Sequence, residues 1–358
     1  MDKRVSVWSW VWSKTDGGNI DAVVARLRAA GVTMLIGPKA WDSGAWMTEI
    51  NWKEIRDALK AKMPELAIYA WGYCWYNRRN NVATDAQRAI ECVTYGLADG
   101  LVLDVEAEFE GRSDAAEALC KPIRAALPNT DILYSAFALP AYHGPFPYAV
   151  FEKYCNGLVP QLYFKYWTPP TGNLFSNAAA AVDAMVAQHR AIGIGSEKLL
   201  VAADCWAEPQ HPMPTQAELV LFGTRCREQG CAGVSAWDYQ EMDAAAWVAM
   251  KAMRDAFVPA PPLDSTVLLK AEVERLIRDL ATMTTDRDDL RRQVEALISE
   301  RDILKSTLNN ALVVANNRML AIRSLERLMY QTKGVLSATT VSSLTAVIAA
   351  LDRKPYVD

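Results

Sequence analysis

The chain has 358 residues, 51% of them hydrophobic and 22% charged, with a formal net charge of −4. That length accommodates one large domain and an accessory element. There is no basic surplus of the kind a nucleic-acid binder carries, and no apolar run approaches the roughly 20 residues that span a bilayer, so neither nucleic acid nor membrane is an expected partner.

Met1-Asp2-Lys3-Arg4 leads directly into an apolar segment, without the h-region or cleavage site of a secretory signal, so synthesis in the cytoplasm without export is expected. From there a strand-then-helix alternation repeats eight times. Strands are predicted over 4–12, 32–41, 66–75, 100–107, 131–139, 157–167, 198–206 and 231–239. Helices are predicted over 19–30, 51–62, 82–96, 113–126, 147–156, 174–192, 215–229 and 244–257. Local signals mark several helix ends. Asp16-Gly17-Gly18-Asn19 precedes the first, Thr215 and Glu218 have capping-box spacing, and Gly31, Gly193 and Gly230 fall at stops. The strands are mostly continuous apolar runs, as in a parallel sheet buried on both faces. Eight units in the first 257 residues match the count and size of a (β/α)8 TIM barrel, an α/β fold. The rival, a doubly wound open sheet, would carry a Gly-rich phosphate turn where Trp12-Ser13-Lys14 stands.

Residues 258–264 hold three prolines in four positions (Pro259, Pro261, Pro262) and read as a stiff spacer. A heptad pattern follows. Leu269, Leu276, Met283, Leu290, Leu297 and Leu304 take position d, and Val273, Leu280, Val294 and Leu308 take position a. The stripe predicts a C-terminal α-helical coiled coil over 265–334 and a homo-oligomer formed through 266–308. Val and Leu at a with Leu at d favour two strands, while Arg287 and Arg301 at a leave dimer and trimer both open. The pattern then shifts to Leu312, Met319, Ile322, Leu325 and Met329, turns at Gly334, and ends in a short apolar helix and tail (335–358). Residues 311–358 are expected to fold back or to dock on a partner.

The seven cysteines (Cys74, Cys92, Cys120, Cys155, Cys205, Cys226, Cys231) form no Cys-x-x-Cys pair and read as buried reduced thiols. His143, His189 and His211 lack metal-ligand spacing, so no metal is expected, and the reading calls for no cofactor.

Barrel active sites lie at the C-terminal ends of the strands. Trp12, Trp41, Trp75, Trp167, Trp206 and Trp237 fall at or near six of those ends, with Trp10 and Trp46 close by, whereas Trp8 and Trp71 read as core. Flat apolar faces with an N–H handle suit the stacking of sugar rings, so a carbohydrate-binding mouth is expected. The fourth strand reads Asp99-Gly100-Leu101-Val102-Leu103-Asp104-Val105-Glu106-Ala107-Glu108. Alternation puts Asp104, Glu106 and Glu108 on the lumen face and Leu101, Leu103 and Val105 against the helices. Crowded carboxylates raise one another's pKa, which suits a proton donor to a glycosidic oxygen. The plainer reading is a structural set bonded to lumen Tyr, Arg or Lys.

Asp99-Gly100-x-x-x-Asp104-x-Glu106 resembles the strand-four motif of the chitinase-type glycoside hydrolases of family 18. Gln161-Leu162-Tyr163, followed by Pro169 and Pro170, resembles the Gln-x-Tyr of their plant-type members, and Gly233-Val234-Ser235-Ala236-Trp237 resembles their Gly-Val-Met-x-Trp. The lysozyme-type family 25, also barrels with an Asp-x-Glu strand, is second. The family 18 resemblance implies that Glu106 is the general acid and that Asp104 orients the substrate's N-acetyl group, which itself attacks the anomeric carbon. It implies further that Tyr163 bonds that acetamide and Trp237 floors the central subsite. Substrate contacts are expected from Trp12, Trp41, Trp75, Gln161, Trp167, Trp206, Trp237, Asp204 and Asp238.

The sequence also departs from these families. Val102 stands where family 18 has a further Asp, strand three has Ala70-Trp71-Gly72-Tyr73 in place of Ser-x-Gly-Gly, and strand one lacks the Asp of family 25. A second carboxylate from Asp204, Glu208 or Asp238 would instead give a two-carboxylate mechanism. Three functions are therefore expected in competition: a hydrolase of an N-acetylhexosamine polymer such as peptidoglycan or chitin, a sugar-binding barrel without turnover, and a structural assembly protein. A stalk without an export signal suggests barrels mounted on a phage tail or neck, with 311–358 meeting other virion proteins. A cytosolic bacterial enzyme with a dimerisation tail would look alike.

Overall fold

In a computed structural model the chain divides into two units, Met1–Pro259 and Ala260–Asp358. The structure describes residues 3–47, 50–75, 82–208 and 211–258 of the first, and 273, 295–302, 326–327, 329–331 and 338–352 of the second.

The first unit is a closed barrel. Its parallel strands are β1 (Arg4–Trp8), β2 (Met34–Asp42), β4 (Ala67–Tyr73), β5 (Gly100–Asp104), β6 (Asp131–Phe137), β7 (Gly157–Leu162), β8 (Leu200–Asp204) and β9 (Gly233–Trp237). They run in that order around the ring, and β1 pairs with both β2 and β9 to close it. β3 (Ala45–Trp46) is a short antiparallel return on the end of β2. The helices between strands are α1 (Ile20–Ala30), α2 (Trp52–Lys62), α3 (Val82–Thr94), α4 (Ser113–Ala126), α5 (Tyr148–Tyr154), α6 (Ala178–Ala191), α7 (Gln216–Glu228) and α8 (Ala244–Phe257). The Thr215–Glu218 capping box is formed, and Gly31 closes α1 at φ 66°, where a side chain would be strained.

Several strands end earlier than the sequence predicts. Residues 107–109 and 164–166 leave the sheet as single 3-10 turns, Ala107–Phe109 and Phe164–Tyr166. Phe109 and Phe164 are fully buried in these turns, which is why the apolar runs read as continued strand.

Strand alternation sorts the side chains. Val5, Val7, Leu101, Leu103 and Val105 join the main core, which also takes in the buried faces of the helices. Trp8, Met34, Ile36, Val102, Leu133 and Val159 fill the lumen. Below this plug Arg4 pairs with Asp131 at 2.6 Å, and the Tyr69 hydroxyl donates to the same carboxylate at 2.7 Å. The lumen is therefore solid at its base and can open only at the C-terminal end of the strands. All seven cysteines are buried and unbridged.

In the second unit, residues 295–302 are helical and a helix spans Ala338–Asp352, with Leu344 buried. The predicted coiled coil at 265–334 and its interface at 266–308 lie almost wholly outside the described residues.

Candidate active site

β5 ends at Asp104, and two residues later Glu106 opens the turn Ala107–Phe109. Both carboxyls reach a cavity of about 190 Å³ above the lumen plug. Its other walls are Trp8, Trp10, Lys39, Trp71, Tyr73, Ser135, Gln161, Tyr163, Ala202 and Trp237. The Gln161 amide ties the acids together: Nε2 lies 2.9 Å from Glu106 Oε1, 3.3 Å from Asp104 Oδ1 and 3.1 Å from Ser135 Oγ. Glu108, the third acid of the alternation, lies outside the lining and accepts a bond of 3.0 Å from the Tyr73 hydroxyl.

Burial and the neighbouring Glu106 charge push the Asp104 carboxyl well above the usual carboxylate range, with Lys39 and Ser135 opposing. Burial raises Glu106 too, against the Gln161 bond and with the help of Glu108. Such a pair does not shed both protons readily, which leaves an acid and a carboxylate side by side. Burial, followed by the charges of Asp104 and Glu106, holds the Tyr163 phenol protonated, so it can donate a hydrogen bond into the cavity.

The floor is tryptophan. Trp237 meets Trp8 at 5.4 Å and Trp71 at 5.7 Å, both edge-on, and Trp10 at 6.1 Å. Trp8 and Trp71, expected as core, are 2% and 1% exposed and also line the cavity. Trp71 is fixed by its indole N–H, which donates to the Ser9 carbonyl at 2.9 Å. Gln161 and Tyr163 also line a second cavity of about 440 Å³, walled by Phe137, His143, Tyr166, Trp167 and Leu174 among others. The two hollows therefore adjoin.

Other expected contacts lie elsewhere. Trp41 is fully buried in the outer core, packed so closely on Gly72 that a Cβ there would meet its ring at 2.2 Å. Trp41 shares the parity and the outer face of Leu35, and β2 between them is irregular, its register with β4 shifting between Ile36 and Lys39 and again before Trp41. Trp12 packs half-buried on the same outer core beside Gly18. Trp75 is 41% exposed beside Tyr73, at 5.3 Å, and lines neither hollow. Trp206 braces Tyr163 edge-on at 4.8 Å and stacks on His211. Asp204 is fully buried and accepts from His211 Nε2 at 2.8 Å and from the Lys165 N–H at 3.0 Å. Asp238 is 1% exposed, and burial pushes its carboxyl up to about 7. Neither Asp204 nor Asp238 lines the cavity, and Glu208 is exposed.

The sequence reading missed Lys39 and Ser135. The clue to Lys39 was Gly37-Pro38, a pair that cannot continue a regular strand. Neither the family models nor the curated proteins compared with the sequence give a match. Solved structures do. The GH18 chitinase ChiB of Flavobacterium johnsoniae aligns with a TM-score of 0.54 at 11% identity, over 71% of this chain and 94% of that one. A plant class V chitinase mutant from Cycas revoluta, in complex with (GlcNAc)3, gives 0.54 at 12% identity over 70% and 99%. The chitinase-like agglutinin from Robinia pseudoacacia gives 0.52 at 12% identity over 70% and 99%.

The fold is a TIM barrel, shared with these structures. Within the barrel, Val102 faces the lumen between Trp71 and Leu133, its partners across the neighbouring strands. Asp104 therefore rests on hydrocarbon and takes its polar partners from Ser135 and Gln161 instead.

Proposed function

We propose that the barrel binds and hydrolyses an N-acetylhexosamine polysaccharide of the chitin or peptidoglycan type. The observation that carries this reading is the Asp104–Gln161–Glu106 cluster set beside Trp237 in one cavity. The chemistry is retaining and substrate-assisted. A sugar ring lies on Trp237, and Asp104 accepts from its acetamide N–H while the Tyr163 hydroxyl donates to the group. The acetamide oxygen attacks the anomeric carbon as Glu106 protonates the departing glycosidic oxygen. Water then opens the cyclic intermediate and returns the proton to Glu106. No protein nucleophile is needed.

Release of short oligosaccharides from N-acetylglucosamine oligomers or peptidoglycan tests the reading. Glu106→Gln should cut turnover by about a hundredfold or more. A wild type that neither cleaves nor binds these polymers would overturn it.

The second reading, a carbohydrate-binding virion protein without turnover, is favoured by Val102, which puts hydrocarbon where an acid would stand beneath Asp104 on the strand. Binding that survives Glu106→Gln, with no turnover in the wild type, would select it. For the remainder of the chain we propose a coiled-coil mount that gathers two or three barrels through 266–308. It would place them on a phage tail or neck, with 311–358 meeting other virion proteins. The heptads and the proline spacer in the sequence support that proposal.

A further inference from the structure

Lys39 is 5% exposed, yet its ammonium stands in the wall of the cavity that holds Asp104 and Glu106. Among the described residues no other cation lines that cavity. Strict alternation along β2 would turn Lys39 outward with Leu35, since Met34 and Ile36 face the lumen. The register shifts on either side of Lys39 reverse it, and Trp41 goes to the outer core. Irregularities of this kind re-aim single side chains beside active sites.

The ammonium is held from several sides. It bonds Asp42 Oδ2 at 2.5 Å, and it lies 5.2, 5.5 and 5.8 Å from the ring centres of Trp71, Trp10 and Tyr73. The Asp42 side chain is 47% exposed, so water screens its share of the pairing, while the lysine itself is screened very little. Burying a lysine is costly, and three aromatic faces with one half-exposed carboxylate compensate only in part. The ammonium shares its cavity with the acid pair, and its charge acts on Asp104.

We infer that Lys39 is a positioning residue: its ammonium is the counter-charge that keeps the Asp104–Glu106 pair as one carboxylic acid and one carboxylate. Among the described residues, the groups facing that pair are Glu108, Tyr73, Ser135, Gln161, Tyr163 and Lys39. Of these only Lys39 is cationic. Without it, burial and mutual repulsion would keep both acids protonated to higher pH, and no carboxylate would remain to receive a substrate N–H.

The inference rests on reading Asp104 and Glu106 as an acid–base pair, but its test needs no turnover. The pair is titrated by carbon-13 NMR of the carboxyls in the unliganded full chain, giving the pH window in which one proton is held. In Lys39→Met that window should move up in pH. In Lys39→Arg it should stay within the wild-type range. Asp42→Asn releases the lysine from its partner and should move the window down, which keeps the test alive if Lys39→Met fails to fold. A window that ignores Lys39→Met, or that ignores or moves up in Asp42→Asn, overturns the inference. Loss of binding and cleavage in the wild type would instead overturn the proposed function and leave the titration result standing.

Discussion

The Gln161 amide nitrogen lies 2.9 Å from Glu106 Oε1 and, among the described residues, is the side-chain donor placed against that carboxyl. A donor to a carboxylate favours its charged form, so this bond opposes the burial that raises Glu106. Gln161→Leu should therefore move the Glu106 titration up. If Glu106 is the acid, the alkaline limb of kcat/KM should follow it to higher pH. The variant also leaves buried oxygens of Asp104 and Ser135 short of a donor, at a cost of about 1–3 kcal/mol. A pH profile and a thermal melt read both effects, and an unmoved alkaline limb would remove Gln161 from the machinery.

Trp237 and Trp41 separate binding from packing. Trp237 is half-buried on the cavity floor, and Trp41 is fully buried in the outer core. Trp237→Ala should weaken binding of N-acetylglucosamine oligomers by roughly tenfold to a hundredfold, if stacking on it contributes the ~1–3 kcal/mol typical of aromatic platforms. Trp41→Ala should lower stability by about 3–5 kcal/mol, and the folded fraction should bind as wild type does. Calorimetric titration beside denaturant unfolding checks the pair. Equal binding losses in the two variants would contradict the assignment.

Periodicity and alternation made much of this legible. Eight apolar strands separated by amphipathic helices leave few closed arrangements, and alternation on β5 alone turned Asp104 to the lumen and Leu103 away from it. What stayed hidden depended on broken alternation or on loops. The irregularity in β2 turned Lys39 into the mouth against its parity with Leu35, and periodicity counts residues without seeing a register shift. Asp204 occupies a strand end like Asp104, yet it does not line the cavity and pairs with His211 from the following loop. No pattern local to either residue foretells that meeting.

Asp85, on α3, carries a different signature. It is fully buried, and burial raises its carboxyl to about 7, well above the ordinary carboxylate range. The folded state thus holds a proton that the unfolded state has released, so stability should fall as pH rises through that interval and level off above it. Asp85→Asn removes the titration. It should raise the melting temperature by a few degrees at pH 8 and by little at pH 4. Melts across that range check the sign, and a larger gain at pH 4 would contradict it.

The heptads at 269–308 predict that the full chain is a dimer or trimer and that the barrel alone is not. Sedimentation of the full chain against a chain ending at Leu263 decides this. Monomers in both would remove the mount from the proposal and leave the barrel's chemistry untouched.

Val102→Asp tests what the lumen has become. The new carboxyl would enter a plug of Trp71, Leu133 and Ile36, without a donor of its own, directly beneath Asp104 along the strand. An unpaired buried acid costs several kcal/mol when ionised and less when protonated. The folded pKa is then raised above the unfolded one, so the loss of stability should be small at pH 4 and grow towards neutrality. Were the lumen polar and merely short of one acid, the substitution would be tolerated at every pH and turnover would rise. A pH-independent melting temperature in Val102→Asp, together with higher activity, would therefore show that one residue separates this barrel from a more efficient catalyst. A steep pH-dependent loss would show that the hydrocarbon beneath Asp104 is part of how this chain is packed, and that any catalysis runs on Asp104, Glu106 and their donors Ser135 and Gln161.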